Sequence, residues 1–306
     1  MIEGKIGKGN INRKYEVFWP VIFLAPFFIF FIGLSIFPIF YSFYISLTDW
    51  TGISERNFIG FQNYLRIITT DINFRRSIVN TFYIIFVANA LTLIIGLLLA
   101  NFLFGLGRGR TVFQTLNFLP YVTTPVALGL LFSLLFDWRH GTVNVILTSI
   151  GILREGIFWL GLPETAPLVV IILIIWKYAG FYMAIFLAGL SSVPEELYEA
   201  AAVDGAGKLV VFFRITVPML RPIITFAAVT SLIGGLQIFD EPNMLFSTFG
   251  GPDRSVLTIV WNFYDIAFRN QFRLGYGSAI AFLLFLIIVL VSLVSSRLIG
   301  GKGENT

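Results

Sequence analysis

From Pro167 to Leu190 the chain reads PLVVIILIIWKYAGFYMAIFLAGL, and Lys177 is its one charge. About 20 apolar residues at 1.5 Å rise cross the ~30 Å hydrocarbon core of a bilayer, whereas a helix in a soluble domain needs only an apolar stripe. A run of this kind has few homes outside a membrane. The chain carries several. Candidate spans cover residues 17–47, 78–104, 112–136, 167–190, 219–239 and 278–299, which predicts an all-α polytopic membrane protein with six transmembrane helices. Charged residues are only 12% of the chain, against about 25% in soluble domains. The first run is about twice the length of a signal-peptide core and no A-x-A site follows it, so it is expected to remain as a span.

Several chemistries fall away at once. With no cysteine and a single histidine, His140, there is no disulfide, cysteine zinc site or iron–sulfur cluster. One histidine cannot make an H-E-x-x-H zinc site, and FDWRHGTVN offers no nucleophile elbow, so His140 reads as an interfacial loop residue. The net charge of +4 is scattered along the chain rather than clustered, which argues against nucleic acid as a partner.

An even number of spans places both termini on one side. Lys5, Lys8, Lys14, Lys208 and Lys302 fall on that side, while Arg56, Arg66, Arg75 and Arg76 crowd the first loop of the other. The positive-inside rule on lysine predicts cytoplasmic termini. The expected organisation is a cytoplasmic tail (1–16), the first transmembrane helix with the first extracytoplasmic loop (17–75), a transmembrane core (76–300) and a C-terminal tail (301–306). On the extracytoplasmic side, Val143, Ile146, Leu147, Ile150 and Leu153 recur at helical spacing, as do Ile259, Phe263, Ile266 and Ala267. Both stretches are expected as amphipathic helices lying along the surface.

The cytoplasmic loop 191–222 interrupts this apolar chain with SSVPEELYEAAAVDGAGKLVVFFRITVPMLRP. Ser191 and Ser192 are candidate N-caps, Pro194 suits a first turn, and Glu195 and Glu196 complement the helix dipole. Asp204-Gly205 is expected to end the helix through a left-handed glycine. A helix of about ten residues is marginal alone in water and must pack on something, its own protein or a partner. GAGKLVV within it is not a phosphate loop, because Ala202 and Leu209 occupy the positions of the first glycine and the final hydroxyl.

Glu199-Ala200-Ala201, then Gly205, then Ile215, then Val217-Pro218 resembles the E-A-A loop of permease subunits of binding-protein-dependent ABC importers, with valine where the family has leucine. LAPFFIFFIGLSIFPIFYSFYISLTDW with FIGFQNYLRI, FQTLNFLPYVTTPVALGLLF, GTVNVIL, GGPDRSVLT and GYGSA are similar to the maltose-type first permease of sugar importers. The third span lacks the tryptophan that resemblance leads one to expect near Leu131 or Phe132. The resemblance implies a type I importer permease fold in a bacterial or archaeal cytoplasmic membrane. It implies a coupling helix with Glu199, Ala200, Ala201, Asp204, Gly205, Ile215 and Pro218 facing a cytoplasmic ATPase. The implied partners are a homologous second permease, two ATPase copies and an extracytoplasmic solute-binding protein. No cofactor is implied in this chain, since ATP and magnesium would sit on the ATPases.

A cation inside a span is expensive and marks a cavity or a partner, so Lys177 is the first candidate for a substrate pathway. Trp176, Tyr178 and Tyr182 beside it offer aromatic faces and polar edges of the kind that suit sugar rings. The alternative is that Lys177 snorkels to the interface while the aromatics pack. Gln237, Asp240, Asn117 and Tyr121 are further candidates. The expected substrate is an oligosaccharide, with glycerol 3-phosphate as the alternative. An ion-coupled secondary transporter is the rival class, and it would need paired acids deep in the spans, where the sequence places none.

Overall fold

The computed structural model describes residues 12–300 apart from 54 and 108. The expected tails therefore lie largely outside the described residues. Among these there is no strand, only an isolated bridge between Thr48 and Phe58.

The chain opens with α1 (Asn12–Phe31), a π-helical turn (Ile32–Ile36) and α2 (Phe37–Ser46). The wide turn has a local cause. Pro38 brings no N–H and crowds the carbonyl four residues back, and the Phe37 N–H instead reaches the Ile32 carbonyl. Next come α3 (Gln62–Thr69), α4 (Ile72–Phe104), α5 (Arg110–Val122), α6 (Pro125–Leu135), α7 (Thr142–Ser149) and α8 (Ala166–Leu190). The loop after α8 holds α9 (Glu195–Val203), α10 (Lys208–Val211) and α11 (Val217–Met219). Then follow α12 (Arg221–Leu236), α13 (Asp240–Leu245), α14 (Ile259–Tyr264) and α15 (Leu274–Gly300).

Four helices are long and apolar enough to cross a membrane by themselves: Pro20–Ser46, Ile72–Phe104, Ala166–Leu190 and Leu274–Ser295. The other two expected spans are bent. The third is not one helix over 112–136, because α5 and α6 meet at 99°. Thr124 precedes Pro125 and is held extended (ψ 141°), while its hydroxyl caps α6 by accepting from the Ala127 N–H. In the fifth, the segment Lys208–Met219 meets α12 at 69°. There Pro218 and Pro222 flank the break, and α12 ends at Leu236, short of the expected 239.

The centre of the bundle is the pair α4–α8. Ala88, Thr92, Gly96 and Ala100 are all buried at four-residue spacing, which lets the two backbones close without bulky side chains between them. α5 joins this pair at Gly180, where a Cβ would fall 1.8 Å from the Asn117 carbonyl oxygen. Only glycine fits that crossing. α15 packs on α2, with Phe43 and Phe282 rings 4.7 Å apart. Leu103 and Leu190 share one apolar cluster, so α4 and α8 run parallel and end at the same face as α9. α3, α7, α13 and α14 lie at the other face.

Of the two helices expected to lie along that face, α7 forms much as predicted, over Thr142–Ser149. The second does not lie on the surface. Ile259, Trp261, Ile266 and Ala267 are buried in the bundle, and the helix widens to a π-turn over Asp265–Arg269. The apolar spacing was a core pattern, because Thr258 caps α14 and ties it inward by donating to the Ile238 carbonyl (2.9 Å).

Candidate functional site

Two places bring the candidate residues together. The first is the loop between α8 and α12. Ser191 and Ser192 do not cap α9. Their hydroxyls donate back to the Leu187 and Gly189 carbonyls (3.1 and 2.7 Å), finishing α8, and Pro194 takes the cap position. At the other end Gly205 is left-handed (φ 69°). The Ala206 N–H reaches the Ala201 carbonyl (2.9 Å) and the Gly205 N–H reaches that of Ala202 (3.1 Å), a Schellman closure that satisfies two otherwise free carbonyls.

One side of α9 rests on its own protein. Ala201 is buried, the Tyr198 ring lies 6.0 Å from that of Phe104, and the Tyr198 and Thr216 hydroxyls are 3.4 Å apart. Glu199, Ala200, Asp204 and Pro218 are exposed and Ile215 is half-buried in a π-turn. Around them Val203 is 88% exposed, Leu209 74% and Phe213 65%. So many large apolar side chains on a polar loop form a patch that calls for a partner.

The second place is a cavity of about 420 Å³ between α4, α8, α12 and α13. Tyr178, Tyr182, Gln237 and Asp240 line it, four of the expected pathway residues. Asn89 and Ser231 line it as well, and the Asn89 amide donates to the Ser231 carbonyl (2.8 Å), fixing α4 against α12. α12 unwinds at Gln237 and the chain turns back as α13, which carries Glu241 to α8. There the Lys177 ammonium donates to Glu241 Oε1 at 2.7 Å and the Tyr178 hydroxyl donates to the same oxygen at 3.0 Å.

Lys177 therefore neither snorkels nor stands free in a pathway. It is buried and neutralised, with its ammonium 4.9 Å from the Tyr178 ring centre. Glu241 is also the acid within the bundle that the sequence did not reveal. The signal was present in DEPNM, two acids before a proline, but that stretch reads as the outer end of a span until α13 folds inward.

Trp176 is separated from this cavity. It is 43% exposed and faces a second hollow with Asn117, near the α5–α8 crossing, where its ring meets Phe132 (5.7 Å). Phe132 thus supplies an aromatic in the region of the missing tryptophan. Tyr121 lines neither hollow; it stacks on Phe181 (4.5 Å) and touches the edge of Tyr178 (5.8 Å). His140 is exposed in its loop. Its main-chain N–H donates to Asp137 (2.8 Å), which holds that carboxyl below the usual range. Among the described residues no cluster of acids, histidines and cysteines could hold a metal.

Residues 92–300 match the family of binding-protein-dependent transport system inner membrane components. The chain is 33% identical over 289 residues to the arabinooligosaccharides transport system permease protein AraP of Bacillus subtilis, covering 94% of this chain and 90% of that protein. It is 33% identical over 287 residues to the lactose transport system permease protein LacF of Rhizobium radiobacter, covering 93% and 95%. Its fold matches a chain in the crystal structure of a bacterial ABC transporter involved in the import of the acidic polysaccharide alginate, with a TM-score of 0.81 at 23% identity over 96% of this chain and 98% of that one. The chain belongs to the family of binding-protein-dependent transport system inner membrane components. It is a multi-pass ABC permease subunit, and ATP hydrolysis resides on a separate subunit.

Proposed function

We propose that this chain is one of two homologous permeases in an ATP-driven importer that takes a neutral oligosaccharide from an extracytoplasmic binding protein. It has six spans, four straight and two bent, with both termini in the cytoplasm of a bacterial or archaeal cell. Two ATPase copies grip the permease pair at the α9 loop. Their closure on ATP shifts the loop and switches the cavity from one side of the membrane to the other, a two-state equilibrium biased by nucleotide.

The observation that carries this reading is the α9 loop. It is a helix closed at its C-terminal end and fastened to the bundle on one side, while Glu199 and Val203 on it, and Leu209 and Phe213 further along the loop, are exposed. The family relation and the arabinooligosaccharide and lactose relatives support a sugar as cargo. A polyol phosphate is less well served. Lys177 is already paired with Glu241, and Asp240 adds a negative charge to the cavity wall. The ion-coupled rival would need paired acids within the spans, whereas the buried Glu241 is paired with Lys177 and Asp240 is exposed, in a family whose ATPase is a separate subunit.

The test is Glu199→Lys in the complex purified from membranes. Expression should stay normal, while the amount of co-purifying ATPase, or the stimulation of its hydrolysis by binding protein, should fall several-fold. Full association together with full stimulation would remove Glu199 from the coupling surface.

A further inference from the structure

We infer that the face opposite the α9 loop carries a binding site for the headgroup of an anionic phospholipid, at the junction of α3, α4 and α15. α3 is short and two-sided. Asn63 and Ile67 face the bundle, and the Asn63 amide donates to the Ser46 and Thr48 carbonyls (2.9 and 2.8 Å), pinning the helix in place. On the other side Phe61, Leu65 and Ile68 recur at 0, 4 and 7, and Ile72 follows at the start of α4, each 60–68% exposed. α3 leads directly into a span, so this stripe lies where the chain enters the bilayer, and lipid is what covers it.

Beside the stripe is an open hollow of about 430 Å³ lined by Arg66, Arg254 and Arg273. Three guanidiniums face one carboxylate, that of Asp71. This carboxylate is already engaged, capping α4 at the Phe74 N–H (2.9 Å) and accepting from the Tyr276 hydroxyl (2.7 Å). Two of the arginines are held in place. Arg273 lies over the Tyr276 ring at 4.5 Å, and Arg254 donates to Asn73 from a left-handed backbone (φ 57°) that Asn80 secures by donating to its carbonyl (2.7 Å). Arg76 nearby is neutralised by Asp253 at 3.0 Å and adds nothing to the surplus. Converging guanidiniums repel one another and offer forked donors, the arrangement that takes a phosphate.

Ile72 decides the source of that phosphate, because it lines the hollow and is itself an exposed apolar residue where α3 passes into α4. A phosphate bound to the arginines and an acyl chain on Phe61, Leu65 and Ile68 would be parts of one molecule. A free anion has no use for the stripe.

The experiment compares the purified complex in nanodiscs of phosphatidylcholine alone and of phosphatidylcholine with phosphatidylglycerol. Phosphatidylglycerol should raise the melting temperature of the wild type by a few degrees. Native mass spectrometry after detergent release should find it retained. In Arg66→Gln/Arg273→Gln both the shift and the retained lipid should fall by half or more. Should that variant fold poorly, Arg66→Gln alone, at an exposed position, reads the same loss. A full shift in the variants overturns the site. Equal protection by inorganic phosphate in phosphatidylcholine discs overturns the lipid as its occupant. So does a variant that keeps the lipid shift but loses stimulation by binding protein, since the hollow would then dock an acidic protein surface.

Discussion

Lys177 lies within an apolar helix, where an uncompensated ammonium would be costly, and the structure compensates it with the Glu241 carboxylate, to which the Tyr178 hydroxyl also donates. Removing one partner leaves the other charge buried and unpaired, which costs roughly 3–5 kcal/mol, whereas replacing both by apolar groups is often neutral. Glu241→Leu and Lys177→Met alone should therefore each lower the melting temperature of the complex, and the double variant should recover most of it. Transport separates two roles. If the pair only ties α13 to α8, the double variant should transport normally; if Tyr178 needs Glu241 to hold its hydroxyl towards the cavity, transport stays low although stability returns. Additive losses in stability would mean that the two residues do not act as a pair. The sequence exposed the cation and hid its partner, because 64 residues separate them. The same limit hid Asn144, whose amide donates to the Trp138 and Ile157 carbonyls while its oxygen accepts from the Trp159 indole, so that GTVNVIL is a knot in the outer loop.

At the scale of elements, local chemistry predicted the end of α9 and mistook its start. Gly205 was legible because a short helix followed by Asp-Gly has few ways to stop. Ser191 and Ser192 misled because α8 runs to Leu190 and its own last carbonyls take both hydroxyls. No atom would lie within 4 Å of a Cβ on Gly205, so the cost of substitution there is conformational alone. That separates two variants. Gly205→Asn should cost little, since asparagine tolerates the left-handed region, while Gly205→Val should cost more than about 1–2 kcal/mol and loosen the loop. The expected readout is ATPase stimulation near wild type for asparagine and several-fold lower for valine, with both chains inserted in the membrane. Equal activity of the two would mean that the loop does not need its closure. Gly180 is the opposite case, a crowded glycine within a span, and Gly180→Ala should push α5 from α8 and destabilise by about 1–3 kcal/mol or more. The sequence marks Gly205 as a helix stop but says nothing of Gly180, whose need for glycine comes from packing alone.

The whole molecule is polarised, and charge is where sequence alone is least decisive. Lysines marked one side of the membrane, but four arginines in the first loop of the other side blurred the contrast. The fold accounts for most of these arginines. Arg56 lies over the Trp50 ring at 5.2 Å, Arg75 donates to the Thr69 carbonyl at 2.9 Å, Arg76 pairs with Asp253, and Arg66 lines the hollow beside α4. Arg56, Arg75 and Arg76 are committed to structure on the face that holds α3, α13 and α14, whereas Lys208 is exposed on the α9 loop with no such duty. The lysine bias is then the better guide to orientation, and it supports the proposed cytoplasmic side for the α9 loop. The chain has no cysteine, so one introduced thiol reports one position. Lys208→Cys should resist a membrane-impermeant maleimide in intact cells and react once the cells are opened. Ser247→Cys, exposed just after α13, should react without opening. Neither site is buried, and neither side chain makes a bond that the fold depends on, so both variants should assemble and transport. Labelling in the reverse pattern would invert the molecule in the membrane, place the α9 loop out of reach of any cytoplasmic ATPase, and overturn the proposed coupling with it.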